Sequence, residues 1–236
     1  MSKLYLIPST LGDNDPREVL PASVLELLPS IGTYIVENER TVRRFLSRAG
    51  LRGSISELKM VELSEHTTPA EVEAMAALFD AGDVGLVSEA GLPAVADPGA
   101  QVVALCHRKG IEVVPLVGPS SLMLALMGSG LNGQSFAFRG YISAKTDERR
   151  EQIRSLEKTS RSLRQTQILI ETPYRNDSLL KDLAACLGGE VMLCAAADLT
   201  LPTQTIITRK VCAWRELLSK DASPIGKRPC VFLILA

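Results

Sequence analysis

Two Gly/Pro-containing segments, Ser88-Glu89-Ala90-Gly91-Leu92-Pro93 and Leu116-Val117-Gly118-Pro119-Ser120-Ser121, are the parts of this sequence best suited to hold a small ligand. Each directly follows an apolar run, 84–87 or 111–115, that reads as a buried strand, and in open α/β sheets ligands gather beyond the carboxyl ends of strands. Glycine lets backbone N–H groups approach a ligand closely, and proline fixes φ. The Ser and Asp residues, including that of Asp97-Pro98-Gly99, are expected to cap the helices that follow. A third polar turn, Pro8-Ser9-Thr10-Leu11-Gly12-Asp13, leaves the first apolar run on the same expected edge. Glu37 and Arg40 end another run there, bringing a carboxylate and a cation to that edge, with Thr41 as the expected cap of the next helix.

The elements that must position these turns alternate. Strands are expected over 3–8, 32–37 and 59–63 and ending at 87 and 115, with helices over 19–28, 41–49, 69–81 and 98–109, a pattern that predicts a five-stranded parallel sheet. A short helix over 122–127 ends at Gly128-Ser129-Gly130, whose glycines suit a C-terminal cap or a hinge. A second module follows, with strands over 136–142, 167–171, 190–197, 205–209 and 231–235 and helices over 146–163, 176–187 and 213–219. The ribbons on either side of Leu201-Pro202 are expected to pair antiparallel, which makes the second sheet mixed. Two α/β domains, 1–117 and 118–236, are the expected organisation.

Composition narrows the chemistry. The chain has 236 residues, 46% of them hydrophobic, and a formal charge of −1 from 26 basic and 27 acidic side chains, so overall charge gives no reason to expect a nucleic-acid binder. Five scattered cysteines without Cys-x-x-Cys spacing fit a reducing compartment and read as buried small hydrophobes. With only His66 and His107 available, no metal site is expected. His66 reads as a loop residue and His107 as a helix-surface residue, neither catalytic. No run approaches a membrane span, and a cytoplasmic protein is expected. Neither a Gly-x-Gly-x-x-Gly after the first strand nor a Walker loop occurs, which disfavours the common nucleotide-binding folds.

The three turns, together with Glu37-Asn38-Glu39-Arg40, Ala96-Asp97-Pro98-Gly99 and Ile170-Glu171-Thr172 followed by Arg175, resemble in order and spacing the tetrapyrrole methylase family, closest to its ribosomal RNA small subunit methyltransferase I branch. The resemblance covers nearly the whole chain. It implies S-adenosylmethionine (SAM) bound in a cleft between two α/β domains. By motif position the donor contacts Leu11, Ala90, Gly91, Leu92, Val95, Ser120 and Ser121, with Glu171 and Leu199 from the second domain. It further implies a homodimer acting on ribosomal RNA or the small ribosomal subunit by ribose 2′-O-methylation. Two other expectations stand beside it: the same chemistry on a small tetrapyrrole-like molecule, and a SAM-binding protein without turnover. The branch usually has Asp and Thr where this chain has Glu89 and Leu92, Glu-Asp-Thr-Arg where it has Glu37-Asn38-Glu39-Arg40, and Arg-Glu-Leu-Thr-Lys where it has Ala197-Asp198-Leu199-Thr200-Leu201.

Candidate catalytic residues are Glu37, Arg40 and Glu89, with Asp13 as a further carboxylate able to serve a hydroxyl acceptor as base. Two basic concentrations bear on RNA. Arg139, Lys145, Arg149, Arg150, Arg154, Lys158, Arg161 and Arg164 are interleaved with Asp147, Glu148, Glu151 and Glu157 and read mainly as a solvated helix face. Arg40, Arg43, Arg44, Arg48 and Arg52 have fewer acids among them. Glu171-Thr172-Pro173-Tyr174-Arg175 is expected to serve the site by family position; as only a strand end followed by a capped helix, it would have Tyr174 packing locally.

Overall fold

The computed structural model describes residues 2–51, 53, 55–220 and 223–236, which form two compact units, Met1–Ser120 and Ser121–Ala236. Arg52 of the second basic concentration lies outside the described residues.

The first unit is a parallel sheet with helices on both faces. Its strands are β1 (Lys3–Leu6), β2 (Thr33–Val36), β3 (Lys59–Glu62), β4 (Val84–Val87) and β5 (Glu112–Pro115), in the order β3-β2-β4-β1-β5. The helices are α1 (Ala22–Leu27), α2 (Glu39–Arg48), α3 (Pro69–Ala74) and α4 (Ala100–Lys109). Successive β2 side chains go to opposite cores: Ile35 joins Val72, Val102 and Leu105 from α3 and α4, while Tyr34 and Val36 join Val42, Phe45 and Leu46 from α2. Burial on both faces explains the unbroken apolar run Val84-Gly85-Leu86-Val87 of β4, which lies between β2 and β1.

Helices α2 and α3 depart from expectation. Asn38, not Thr41, caps α2: it has extended φ and ψ, and its side-chain oxygen accepts the Thr41 N–H at 3.1 Å. The expected helix over 69–81 stays α-helical only to Ala74 and tightens into a 3-10 turn over Met75–Ala81.

The second unit holds α5 (Ser121–Ser129), β6 (Phe136–Gly140), α6 (Thr146–Leu163), β7 (Thr166–Glu171), α7 (Asn176–Cys186), β8 (Met192–Ala197), β9 (Thr205–Lys210), α8 (Val211–Lys220) and β10 (Cys230–Leu235). The sheet order is β6-β7-β10-β8-β9, parallel between β6 and β7 and antiparallel elsewhere, as the mixed-sheet expectation has it. Leu193, Ala195 and Ala197 of β8 face a core with Leu179, Leu183 and Trp214 from α7 and α8, and α5 packs against β8, β9 and β10. Trp214 Nε1–H donates to Leu193 O at 2.8 Å, which satisfies the polar atom of the largest buried side chain.

One member of the expected solvated helix face is in the interior. Arg149 of α6 is 4% exposed; its Nε donates to Asp182 Oδ2 of α7 at 2.8 Å, and its other nitrogens donate to Ala144 O and Ser178 Oγ, both at 3.1 Å. Arg150 adds a bond to Asp182 Oδ1 at 3.0 Å. A buried pair contributes little net stability when complete, because desolvation offsets the attraction, but losing one partner strands the other charge. Asp182→Ala is therefore expected to cost about 3–5 kcal/mol of unfolding free energy in denaturant titration. A loss below about 1 kcal/mol would show that Arg149 finds other compensation.

Candidate functional site

The parallel order brings all five carboxyl ends of the first sheet to one edge, and β1 between β4 and β5 places the three turns side by side. Ser9 N–H donates to Gly91 O at 2.9 Å and Ser9 Oγ–H to Ser88 O at 3.3 Å, which joins the first and second turns. Gly118 joins the first and third: a Cβ there would run into the Pro8 ring. Gly91 sits at φ +75, where a Cβ would lie 3.1 Å from Leu11 Cδ2 and 3.4 Å from Pro119 O. Leu11, Gly91 and Pro119 thus converge from all three turns.

The second turn is also strained. Ala94 and Ala96 adopt φ of 64 and 66, a region that costs an L-residue about 1–2 kcal/mol. Leu92 is half-buried, Ala90 is exposed and Val95 is 44% exposed, so this backbone turns small and apolar groups outward. Ser120 and Ser121 lie at the junction of the two units, Ser121 opening α5.

On the second sheet, Glu171 ends β7, Ala197 ends β8, and both pair in register with Cys230, the first residue of β10. Glu171 and Leu199, far apart in sequence, therefore share one sheet edge. The Glu171 side chain is fully buried. Its Oε1 accepts from Arg175 Nη2 at 2.6 Å, Arg175 Nε at 2.9 Å and Thr172 N–H at 2.7 Å, while Oε2 has no partner among the described residues. An unpaired buried carboxylate oxygen costs free energy unless a donor reaches it. Leu199 is buried between Asp198 (φ 52) and Thr200 (φ 72), and such non-glycine conformations, at about 1–3 kcal/mol each, cluster at functional sites.

Several expected roles change. Asp97 caps nothing: the residue before α4 is Gly99 at φ 138, with no side-chain cap. Asp13 is engaged with Arg48 Nη1 at 3.1 Å on the surface, which makes it a poor free base. Arg40 is exposed in the first turn of α2, and no ion pair joins it to Glu37 or Glu89 among the described residues. Tyr174 does not pack into the fold but is 82% exposed, with Lys227 Nζ 5.4 Å from its ring centroid. Of the first basic concentration, Arg149, Arg150, Lys145 and Arg161 are in ion pairs and Arg139 donates to Gln167. Arg154, Lys158 and Arg161 line a shallow depression of about 370 Å³ on α6. Of the second, Arg43 pairs with Glu39 and Arg48 with Asp13. Cys106, Cys194 and Cys230 are buried, whereas Cys212 is exposed.

Carboxylates dominate the electrostatics of the first edge. Glu89 N–H donates to Glu37 Oε2 at 3.1 Å, and Thr41 Oγ1–H donates to Glu89 Oε1 at 3.2 Å. Burial first, then the Glu37 charge, push the Asp97 carboxyl up to about 6; the Ser88 hydroxyl opposes the shift and Glu89 adds to it. Folding therefore takes up a proton between Asp97's ordinary 3.8 and about 6, and stability conferred at this position falls as pH rises through that window. In thermal unfolding, Asp97→Asn should match the parent at about pH 4 and exceed it by about pH 7, the difference then levelling off. A constant offset across the range would contradict a raised Asp97.

A family model described as Tetrapyrrole (Corrin/Porphyrin) Methylases matches residues 25–212. The chain is 31% identical over 204 residues to "Ribosomal RNA small subunit methyltransferase I" of Vibrio cholerae serotype O1, covering 86% of this chain and 67% of that one. It is 32% identical over 204 residues to the protein of the same name from Synechocystis sp., covering 85% and 68%. Among solved structures, cobalt precorrin-4 methyltransferase aligns with TM-score 0.60 at 16% identity, covering 99% of this chain and 94% of that one. Uroporphyrin-III C-methyltransferase from Thermus thermophilus, complexed with S-adenosyl homocysteine, aligns with TM-score 0.58 at 16% identity, covering 99% and 97%. The matched span takes in the second and third turns of the first edge and both marked residues of the second, and on these grounds the chain belongs to the tetrapyrrole methylase family.

Proposed function

We propose that this protein is a SAM-dependent methyltransferase that methylates a ribose 2′-hydroxyl of small-subunit ribosomal RNA. The observation that carries the donor half is the convergence of Leu11, Gly91 and Pro119 at one sheet edge. The acceptor half rests on the names of the relatives at about one-third identity. The rival expectations of a tetrapyrrole acceptor, or of donor binding without turnover, are not favoured, since the likeness to tetrapyrrole enzymes lies at 15–18% identity and speaks to fold.

The residues present fit the donor. No Lys or Arg occurs in the second or third turn, and Glu37, Glu89 and Asp97 face the same edge, a field that suits a cationic sulfonium. Ala90, Gly91, Leu92 and Val95 offer small apolar groups and backbone N–H groups to an adenosine and an amino-acid tail. In the second unit, Glu171 retains an unpaired carboxylate oxygen for a ligand N–H or O–H, and Leu199 offers an apolar contact.

When bound, the sulfonium supplies an electrophilic methyl group for in-line displacement. The chain's own work is then alignment and exclusion of water, which can supply about 7–11 kcal/mol toward such a reaction. A hydroxyl acceptor also needs a proton acceptor, contributing about 10²–10⁴-fold. Glu37, Glu89 and Asp97 form the group from which it would be drawn, and burial together with the Glu37 charge pushes the Asp97 carboxyl up to about 6. Phosphates would meet the exposed Arg40 and Arg44 and the cations of the α6 depression, and because each neutralised phosphate releases counterions, binding would weaken as salt rises. A cytoplasmic homodimer completes the reading: edge strand β6 leaves Phe136 and Phe138 exposed, with Tyr141 beside them, a surface a second copy would cover.

Nucleoside mass spectrometry of small-subunit ribosomal RNA from cells lacking the gene, beside parent and complemented strains, tests the acceptor. One ribose-methylated nucleoside should disappear and return with complementation; an unchanged nucleoside profile would refute it.

A further inference from the structure

The two donor-facing turns of the second unit are tied together by a residue that neither motif contains. Arg228 lies just before β10, the strand that runs between β7 and β8. Its guanidinium makes bonds in several directions: Nε to Ile225 O at 2.8 Å, Nη1 to Thr203 O at 2.8 Å, and Nη2 to Pro224 O at 2.6 Å and to Thr205 Oγ1 at 3.1 Å. Nη1 also stands 3.6 Å from Asp198 Oδ2. Thr203 and Asp198 belong to the turn that carries Leu199, and they bond each other through Thr203 Oγ1–H and Asp198 Oδ2 at 2.8 Å.

The backbone beside the guanidinium extends the tie in both directions. Asp198 N–H donates to Pro229 O at 3.0 Å, fixing the left-handed residue where β8 ends. On the other side, Arg228 O accepts from Asn176 Nδ2 at 2.6 Å, and Asn176, fully buried, opens α7 directly after Arg175, the partner of Glu171. Lys227 over the Tyr174 ring adds a contact to the same turn.

We propose that Arg228 is a positioning residue for methyl-donor binding: its guanidinium clamps the strained turn that presents Leu199, in a segment whose backbone carbonyl at Arg228 also holds Asn176 beside the turn that presents Glu171. The inference rests on the donor-binding reading above. Strained conformations persist only where surrounding bonds over-determine them, and here a planar fork on Thr203 and Asp198 adds to the backbone bond from Asp198 N–H to Pro229 O. A lysine has neither that geometry nor enough donors to replace it.

Calorimetric titration of SAM into the full chain, well below each variant's unfolding midpoint, separates positioning from stability. Asp182→Ala serves as the control, since it breaks the ion pair between α6 and α7 away from this edge. Arg228→Ala should raise the donor Kd about tenfold or more and Arg228→Lys about threefold or more, while Asp182→Ala stays within about twofold of the parent despite its lower midpoint. Should Arg228→Ala not fold, Arg228→Lys carries the test. Parent-like donor affinity in a folded Arg228 variant, or equal weakening in Asp182→Ala, would overturn the inference. A parent that binds no SAM would instead overturn the donor reading itself.

Discussion

The close approach of the first strand's exit to the fifth's, at Pro8 and Gly118, is the constraint on which the first edge depends. Only a residue without a Cβ fits at 118, and with that contact made the first turn lies against both neighbours. Ser9 then bonds the second turn through its N–H and its hydroxyl, and Gly91 comes within reach of Leu11 and Pro119. The sheet order supplies the proximity, because β1 runs between β4 and β5. Loops from three separate strands thereby form one continuous surface of backbone N–H groups, small side chains and carboxylates.

The second unit solves its part differently. Its edge is assembled from the ends of β7 and β8 and the start of β10, to which both are antiparallel, and the precision comes from hydrogen bonds to a buried carboxylate and a fork of guanidinium donors. Asp198 and Thr200 hold left-handed backbones that an isolated loop would relax. Glu171 is held through one oxygen and left unpaired at the other. Both features are ordered by the fold before any ligand arrives, which is preorganisation in its ordinary physical sense.

Much of this was legible in the sequence, for reasons particular to each element. The parallel sheet follows from short apolar runs separated by amphipathic helices, and the strand-exit turns from Gly and Pro at fixed places. Glu171 and Leu199 came only with the family resemblance. What the sequence hides is pairing at a distance. Nothing near Arg149 foretells that Asp182 will draw it into the interior, since the acids within its own helix balance it on paper. Asp97 precedes a helix as a cap would, yet burial beside Glu37 gives it another character. Arg228 sits in an unremarkable Lys-Arg-Pro stretch, and its importance depends on where Thr203, Asp198 and Asn176 arrive by tertiary folding.

Amide hydrogen exchange of the protein with and without saturating SAM tests the placement of the donor most directly. Slowed exchange should concentrate in residues 8–13, 88–99 and 116–121 of the first unit and 198–204 of the second. Protection confined to other segments, with the donor bound, would contradict the account.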